Sequence, residues 1–299
     1  MKSLFKFLLL VLATIVVFSA VSAFMPYSHS FKTANQSADP SVILYVFIAV
    51  AWTCFAIVYI VIQSSWRKTK LMIYLTVILF LVIAFMTQIE TLFFGHAFKV
   101  LTTGDILLIM VANGSMFVVA VPLSVAFFKR KDEPKAIAEG TSLFDVPGLT
   151  AKLSLIGISY VVIYFVFGYF VAWSVKDLRA FYTGHETDHG FIGTQLINLQ
   201  ERPIIYPFQF IRGVLFGLFV LPLIQMFPGR PGTLLVSLIL VFSSVGITLI
   251  IPNVLFPDTV RWAHFREMTS SMCVFALLIW WIYRGRRLQD GPSVQGQRQ

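Results

Sequence analysis

Charge is what this sequence has least of. Asp, Glu, Lys and Arg together make up 12% of its 299 residues. A soluble globular protein carries about 25%. With 58% hydrophobic residues and a mean hydropathy of +0.82, the apolar runs exceed what a water-soluble core can absorb, whereas a bilayer can take them. Cysteine is nearly absent too. Cys54 and Cys273 both fall inside apolar runs. That excludes a disulfide framework and a C-x-x-C site, and both read as small buried residues. No stretch outside the apolar runs is long enough to fold by itself. One transmembrane helical domain is expected over 1–288, with a polar tail at 289–299 expected to be disordered.

The formal net charge of +9 invites a nucleic-acid reading. No basic stripe interleaved with aromatics supports it. Lys and Arg instead sit in short clusters between apolar runs, which is a topology signal. Nucleic acid is therefore excluded as a partner, and membrane lipids are the expected surroundings.

Eight apolar runs are present, at about 7–24, 41–65, 71–98, 105–128, 152–174, 203–227, 232–255 and 260–283. Each is near the roughly 20 residues that cross about 30 Å of hydrocarbon as a helix. No period-2 alternation suggests a barrel. The expected fold is an all-α polytopic membrane helix bundle with about eight transmembrane helices. With the N-terminus inside, interior loops hold about 15 of the 23 Lys and Arg, exterior segments about five and the spans about three. That asymmetry predicts both termini on the cytoplasmic side of a cell membrane. It makes 129–151 a cytoplasmic segment and 175–202 an exterior one. The first run, preceded by Lys2 and Lys6 and followed by Ser-Ala-Val-Ser-Ala, fits either a cleaved signal or an uncleaved span. The span is favoured, because multi-span proteins seldom need a separate signal.

An ionisable group inside a span costs about 2.5–3.5 kcal/mol on insertion scales, so each needs a reason. Nearly all fall in the outer halves of their spans. Glu90 and His96, with Gln88, lie in the third, Asn113 in the fourth, Gln209 and Arg212 in the sixth, and Arg261, His264, Arg266 and Glu267 in the eighth. At 100° per residue, Arg261, His264 and Glu267 fall within about 120° and form one stripe facing the bundle interior, with Arg266 opposite. Depth allows an Arg212–Glu90 or an Arg212–Glu267 pair. The plainer reading is an ion-pair network that fixes packing. Imidazoles at matching depth favour a polar pocket open to the outer face. In that pocket Glu90, His264 and Glu267 are the candidate catalytic groups. Arg212, Arg261, Gln209 and Asn113 are candidates for binding substrate. His96, His264 and Glu267 are candidate ligands for a divalent metal such as Zn²⁺.

The exterior segment holds His185-Glu186-Thr187-Asp188-His189. H-E-x-x-H on a helix puts two imidazoles on one face for Zn²⁺, with the Glu as general base. The five residues resemble the zinc metalloprotease motif, but Gly184 and Gly190 flank them and Asp188 stands at a usually apolar position. A third ligand would have to come from Asp177, Glu201 or His96. A solvated loop is the plainer reading of His185, Glu186 and His189.

Other features read as structure. Gly213 and Gly217 form a G-x-x-x-G that lets a neighbouring helix approach. Pro122, Pro222 and Pro252 are kink candidates. Asp105 and Asp258 stand where helices start and suit N-terminal capping. Tyr160 and Tyr164 share a face, more suited to packing than to a pocket. Asn35-Gln36-Ser37 is a sequon. The chain has no E-E-x-x-x-R, D-D-x-x-D, G-x-G-D or P-loop pattern and no visible internal repeat. Three functions stay open: an enzyme acting on a lipid or lipid-linked substrate at the extracytoplasmic leaflet, an ion-coupled transporter of a small molecule, and a non-catalytic subunit or sensor that recognises its partner through 175–202.

Overall fold

The computed structural model describes residues 1–35, 41–129 and 146–284. Eight of its helices are long and apolar enough to cross a membrane: Lys2–Phe24, Val42–Gln63, Lys68–Phe93, Thr103–Phe128, Leu149–Ala172, Ile205–Gln225, Pro231–Ile250 and Asp258–Arg284. In chain order they are the first to eighth spans. No strand occurs among the described residues. The protein is a polytopic membrane helix bundle. Most of the segment expected in the cytoplasm, and the expected tail, lie outside the described residues, as do two of the three sequon positions.

The spans divide into two groups. The first packs against the second and fourth, and the fourth also against the third. The fifth packs against the sixth and eighth, and the eighth against the seventh. The seventh packs against both the second and the third and ties the groups together. Small residues set the closest seam. A Cβ on Gly213 would stand 2.5 Å from the Cβ of Tyr160 and 2.9 Å from the Cα of Gly157, so the fifth and sixth spans meet backbone to backbone there.

The two ends of the bundle differ. At one, basic side chains satisfy the carbonyls that helix C-termini leave open. Arg230 donates to the carbonyl of Gln63 at 2.7 Å, Lys6 to that of Phe127 at 3.1 Å, and Lys129 to that of Ser64. Beneath this basic end the fully buried rings of Phe117, Phe216, Phe242 and Phe275 fill the interior. The other end is covered by a cap made of three short helices, His29–Asn35, Lys176–Thr183 and Gly190–Glu201. The expected exterior segment is thus mostly helical and folded onto the bundle: Leu178 and Arg179 are 1% and 6% exposed.

Local sequence accounts for several departures from straight helix. Thr102 and Asp105 form a capping box at the start of the fourth span, and Ser28 donates both its N–H and its hydroxyl to Asp105, each at 2.7 Å. Pro222 coincides with a break at Val220, where the sixth span restarts as Leu221–Gln225. Pro122 lies in an uninterrupted helix. Pro252 kinks nothing, because the seventh span already ends at Ile250. The third and fifth spans contain π-helical turns at Phe80–Phe85 and Gly168–Ala172, neither of which the sequence pattern announces. The sequence places His96 inside the third span. The helix stops at Phe93 instead, and His96 sits exposed in a single 3₁₀ turn, Gly95–Ala97.

Candidate functional site

A cavity of about 1080 Å³ lies inside the bundle. All eight spans and the cap line it, from Phe18 of the first span to Met268 of the eighth. Its wall is mainly apolar and aromatic. Both π-helical turns border it, through Ile83 in the third span and Gly168, Tyr169 and Ala172 in the fifth. Such turns are frequent at functional sites because they re-aim side chains. The polar groups in the wall include Gln88, Glu90, Asn113, Tyr182, His264 and Glu267.

Glu90 stands on the last turn of the third span, with its side chain 18% exposed. Its carboxylate accepts from Arg212 at 2.7 Å. Arg212 is 1% exposed. It also donates to Gln209 Oε1 at 2.8 Å and to the Met86 carbonyl at 3.4 Å. The rings of Tyr160, Phe208 and Phe216 lie 5.6, 5.7 and 5.9 Å from its guanidinium carbon, within the range of cation–π attraction. Arg212 and Gln209 do not line the cavity. They stand behind Glu90 and hold its carboxylate at the wall. Of the two pairings that depth allows, the one with Glu90 is formed.

The second polar group runs from the cap into the eighth span. Tyr182 Oη and His264 Nε2 are 3.0 Å apart. His264 Nδ1 and Glu267 Oε2 are 3.9 Å apart. With the imidazole proton on Nδ1, facing the carboxylate, Nε2 accepts from the phenol. Burial, with the nearby Glu90 and Glu267 carboxylates adding, raises the Tyr182 pKa above its usual value, so the phenol stays a donor. The result is a phenol, an imidazole and a carboxylate in series, all facing one cavity. Such a series can move a proton to or from a bound molecule once that molecule reaches hydrogen-bond range.

Other sequence candidates stand elsewhere. Arg261 is 2% exposed and turned away from the cavity. It donates to Asp258 at 2.7 Å and to the carbonyls of Ile250 and Leu249 at 2.6 and 3.2 Å, which closes the end of the seventh span. His185, Glu186 and His189 lie in a non-helical stretch, so the two imidazoles are not stacked one turn apart. Their rings are 6.5 Å apart, edge to face, and exposed. Arg179 holds this stretch in place through the carbonyls of Glu186 and Trp173. Among the described residues, no group of three or more His, Cys, Asp or Glu could hold a metal ion. The donor set that Zn²⁺ requires is not assembled at either place.

Tyr182 and Arg179 are the residues that sequence reading missed. A signal for both exists. Leu178, Phe181 and Tyr182 follow helical spacing before Gly184, which adopts φ +81° and ends the helix. The chain matches no protein-family model, no curated protein and no solved structure.

Proposed function

We propose that the protein is a membrane-embedded enzyme that admits a lipid or lipid-linked substrate to the cavity. His264, backed by Glu267 and Tyr182, is the acid–base group. Glu90, fixed by Arg212, is the second carboxylate at the wall. The observation that carries this reading is one cavity of lipid-head-group scale, apolar in most of its wall, with a phenol–imidazole–carboxylate series at one place on it. With the basic end in the cytoplasm, as the distribution of Lys and Arg favours, the cavity serves the extracytoplasmic leaflet.

The test reconstitutes the full chain into vesicles of mixed membrane lipid and follows the lipid composition by mass spectrometry. A time-dependent change in one lipid class is expected. His264→Ala or Glu267→Gln should slow it by about 100-fold, the lower range of acid–base catalysis. Full rates in both variants, or no change in any lipid with the wild type, would contradict the proposal.

A second reading, an ion-coupled carrier, is favoured by the two π-helical turns, which set deformable backbone against the cavity. Solute flux into proteoliposomes that persists unchanged in Glu90→Gln would exclude it.

A further inference from the structure

Three buried arginines stand near the capped end of the bundle outside the cavity lining, whereas the exposed Lys32 and Arg202 of the cap do line it. Arg212 is engaged by Glu90, Gln209 and the Met86 carbonyl. Arg261 is engaged by Asp258 and two carbonyls of the seventh span. Arg179 is engaged by the carbonyls of Trp173 and Glu186. Carboxylates, by contrast, face inward: Glu90 and Glu267 both line the cavity.

Glu267 is the more telling of the two. It is 6% exposed, and its charged neighbour is His264 Nδ1 at 3.9 Å, too far for a full hydrogen bond. A buried carboxylate without a close donor is expensive unless something else supplies one. The same cavity wall carries the rings of Tyr164, Trp173 and Tyr182. Aromatic faces attract ammonium groups and offer nothing to an anion. A phosphate or carboxylate head placed beside Glu267 would meet carboxylates, because the cationic lining residues, Lys32 and Arg202, are exposed on the cap.

We infer that the cavity takes an amphiphile by a positively charged ammonium head, held by the Glu267 carboxylate and the aromatic wall, with its chain along the apolar lining. The inference rests on the reading of this cavity as a lipid-sized site and names the head group it selects. A bound ammonium would give Glu267 a closer donor than the His264 Nδ1 at 3.9 Å. Two sources offer this chemistry. One is a zwitterionic phospholipid with an amine head, whose phosphate would fall at the rim beside the exposed Lys32 and Arg202. The other is a single-chain amine without phosphate.

The experiment measures binding of three probes to the full chain in neutral detergent by native mass spectrometry: phosphatidylethanolamine, phosphatidylglycerol and dodecylamine. Phosphatidylethanolamine should bind at least about tenfold more tightly than phosphatidylglycerol, the effect expected of one charge-assisted contact. Glu267→Gln should remove that preference. Should Glu267→Gln fail to fold, dodecylamine competing phosphatidylethanolamine off the wild type tests the same contact. If dodecylamine binds as the phospholipid does, and Arg202→Ala leaves both unchanged, the amine alone is the recognised group. If Arg202→Ala weakens only the phospholipid, the phosphate contributes at the rim; both results uphold the ammonium site. Preference for phosphatidylglycerol, or indifference between the two lipids, overturns the ammonium inference while leaving a lipid site in place. Retention of none of the three probes overturns the lipid-site reading as well.

Discussion

Arg212 carries its charge at 1% exposure, and the groups around it explain how. One carboxylate, one amide oxygen and one carbonyl accept hydrogen bonds from its two terminal nitrogens, and three aromatic rings lie within cation–π range, while its Nε has no hydrogen-bond partner among the described residues. Removing one member of a buried ion pair leaves the other uncompensated and costs about 3–5 kcal/mol. Glu90→Ala is therefore expected to lower the melting temperature in detergent clearly. Adding Arg212→Met to it should restore part of the loss. A double variant less stable than Glu90→Ala would show that Arg212 contributes through packing alone. The partnership of Arg212 and Glu90 was legible in the sequence, because matching depth in two spans limits the choices. The role of Arg261 was not. Its acceptors are carbonyls at the end of another span, exposed only because that helix stops at Ile250, and no residue type encodes such a contact. A second residue-scale consequence concerns acid. The Gly190 N–H and the Tyr169 hydroxyl hold the Asp188 pKa below its ordinary value. A lowered folded pKa stabilises above the unfolded value of about 3.9 and is lost as pH falls through the folded value. Hydrogen exchange in 184–190, measured against the intrinsic rate at each pH, should speed up on acidification below about pH 4 in the wild type. In Asp188→Asn it should already be fast at neutral pH, and equal protection in the two proteins at neutral pH would refute this role.

Among whole elements, the meeting of the fifth and sixth spans is the most exacting contact. A Cβ at Gly213 would press on the Tyr160 Cβ and the Gly157 backbone, neither of which is the far end of a flexible side chain. Overpacking of that kind costs about 1–3 kcal/mol. Gly213→Ala should therefore melt lower than the wild type, whereas Gly232→Ala, with nothing within 4 Å of its added Cβ, should not. Equal melting of both variants and the wild type would mean the helices separate freely at this seam. The G-x-x-x-G spacing made this contact readable in advance. The cap was harder to see. Its helices are 7, 8 and 12 residues long, and their polarity reads as loop when only long apolar runs are sought. Packing against the bundle stabilises them, which local sequence cannot report. The π-helical turns were hidden for a related reason: Phe80–Phe85 and Gly168–Ala172 have the same apolar composition as the helices around them.

The whole molecule was half legible. Run length and charge placement sufficed for eight spans, because the bilayer imposes both. The cavity was not, since all eight spans and the cap must converge to make it, and the order of helices around a bundle is written in no single span. What the sequence did offer was a set of polar groups at one depth. The structure sorts that set: Glu90, Asn113, His264 and Glu267 at the cavity wall, Gln209 and Arg212 behind it, and Arg261, His96, His185, Glu186 and His189 elsewhere. The account depends on the cavity holding a lipid-sized molecule, and one measurement tests that directly. The full chain and an Asn113→Trp variant, which fills the cavity from the fourth span, are purified in mild neutral detergent, and the molecules they release on denaturation are identified by mass spectrometry. The account predicts a defined amphiphile at about one per chain from the wild type and its loss from the filled variant, with both proteins melting alike. Equal retention by the two proteins, or none by the wild type, would contradict it.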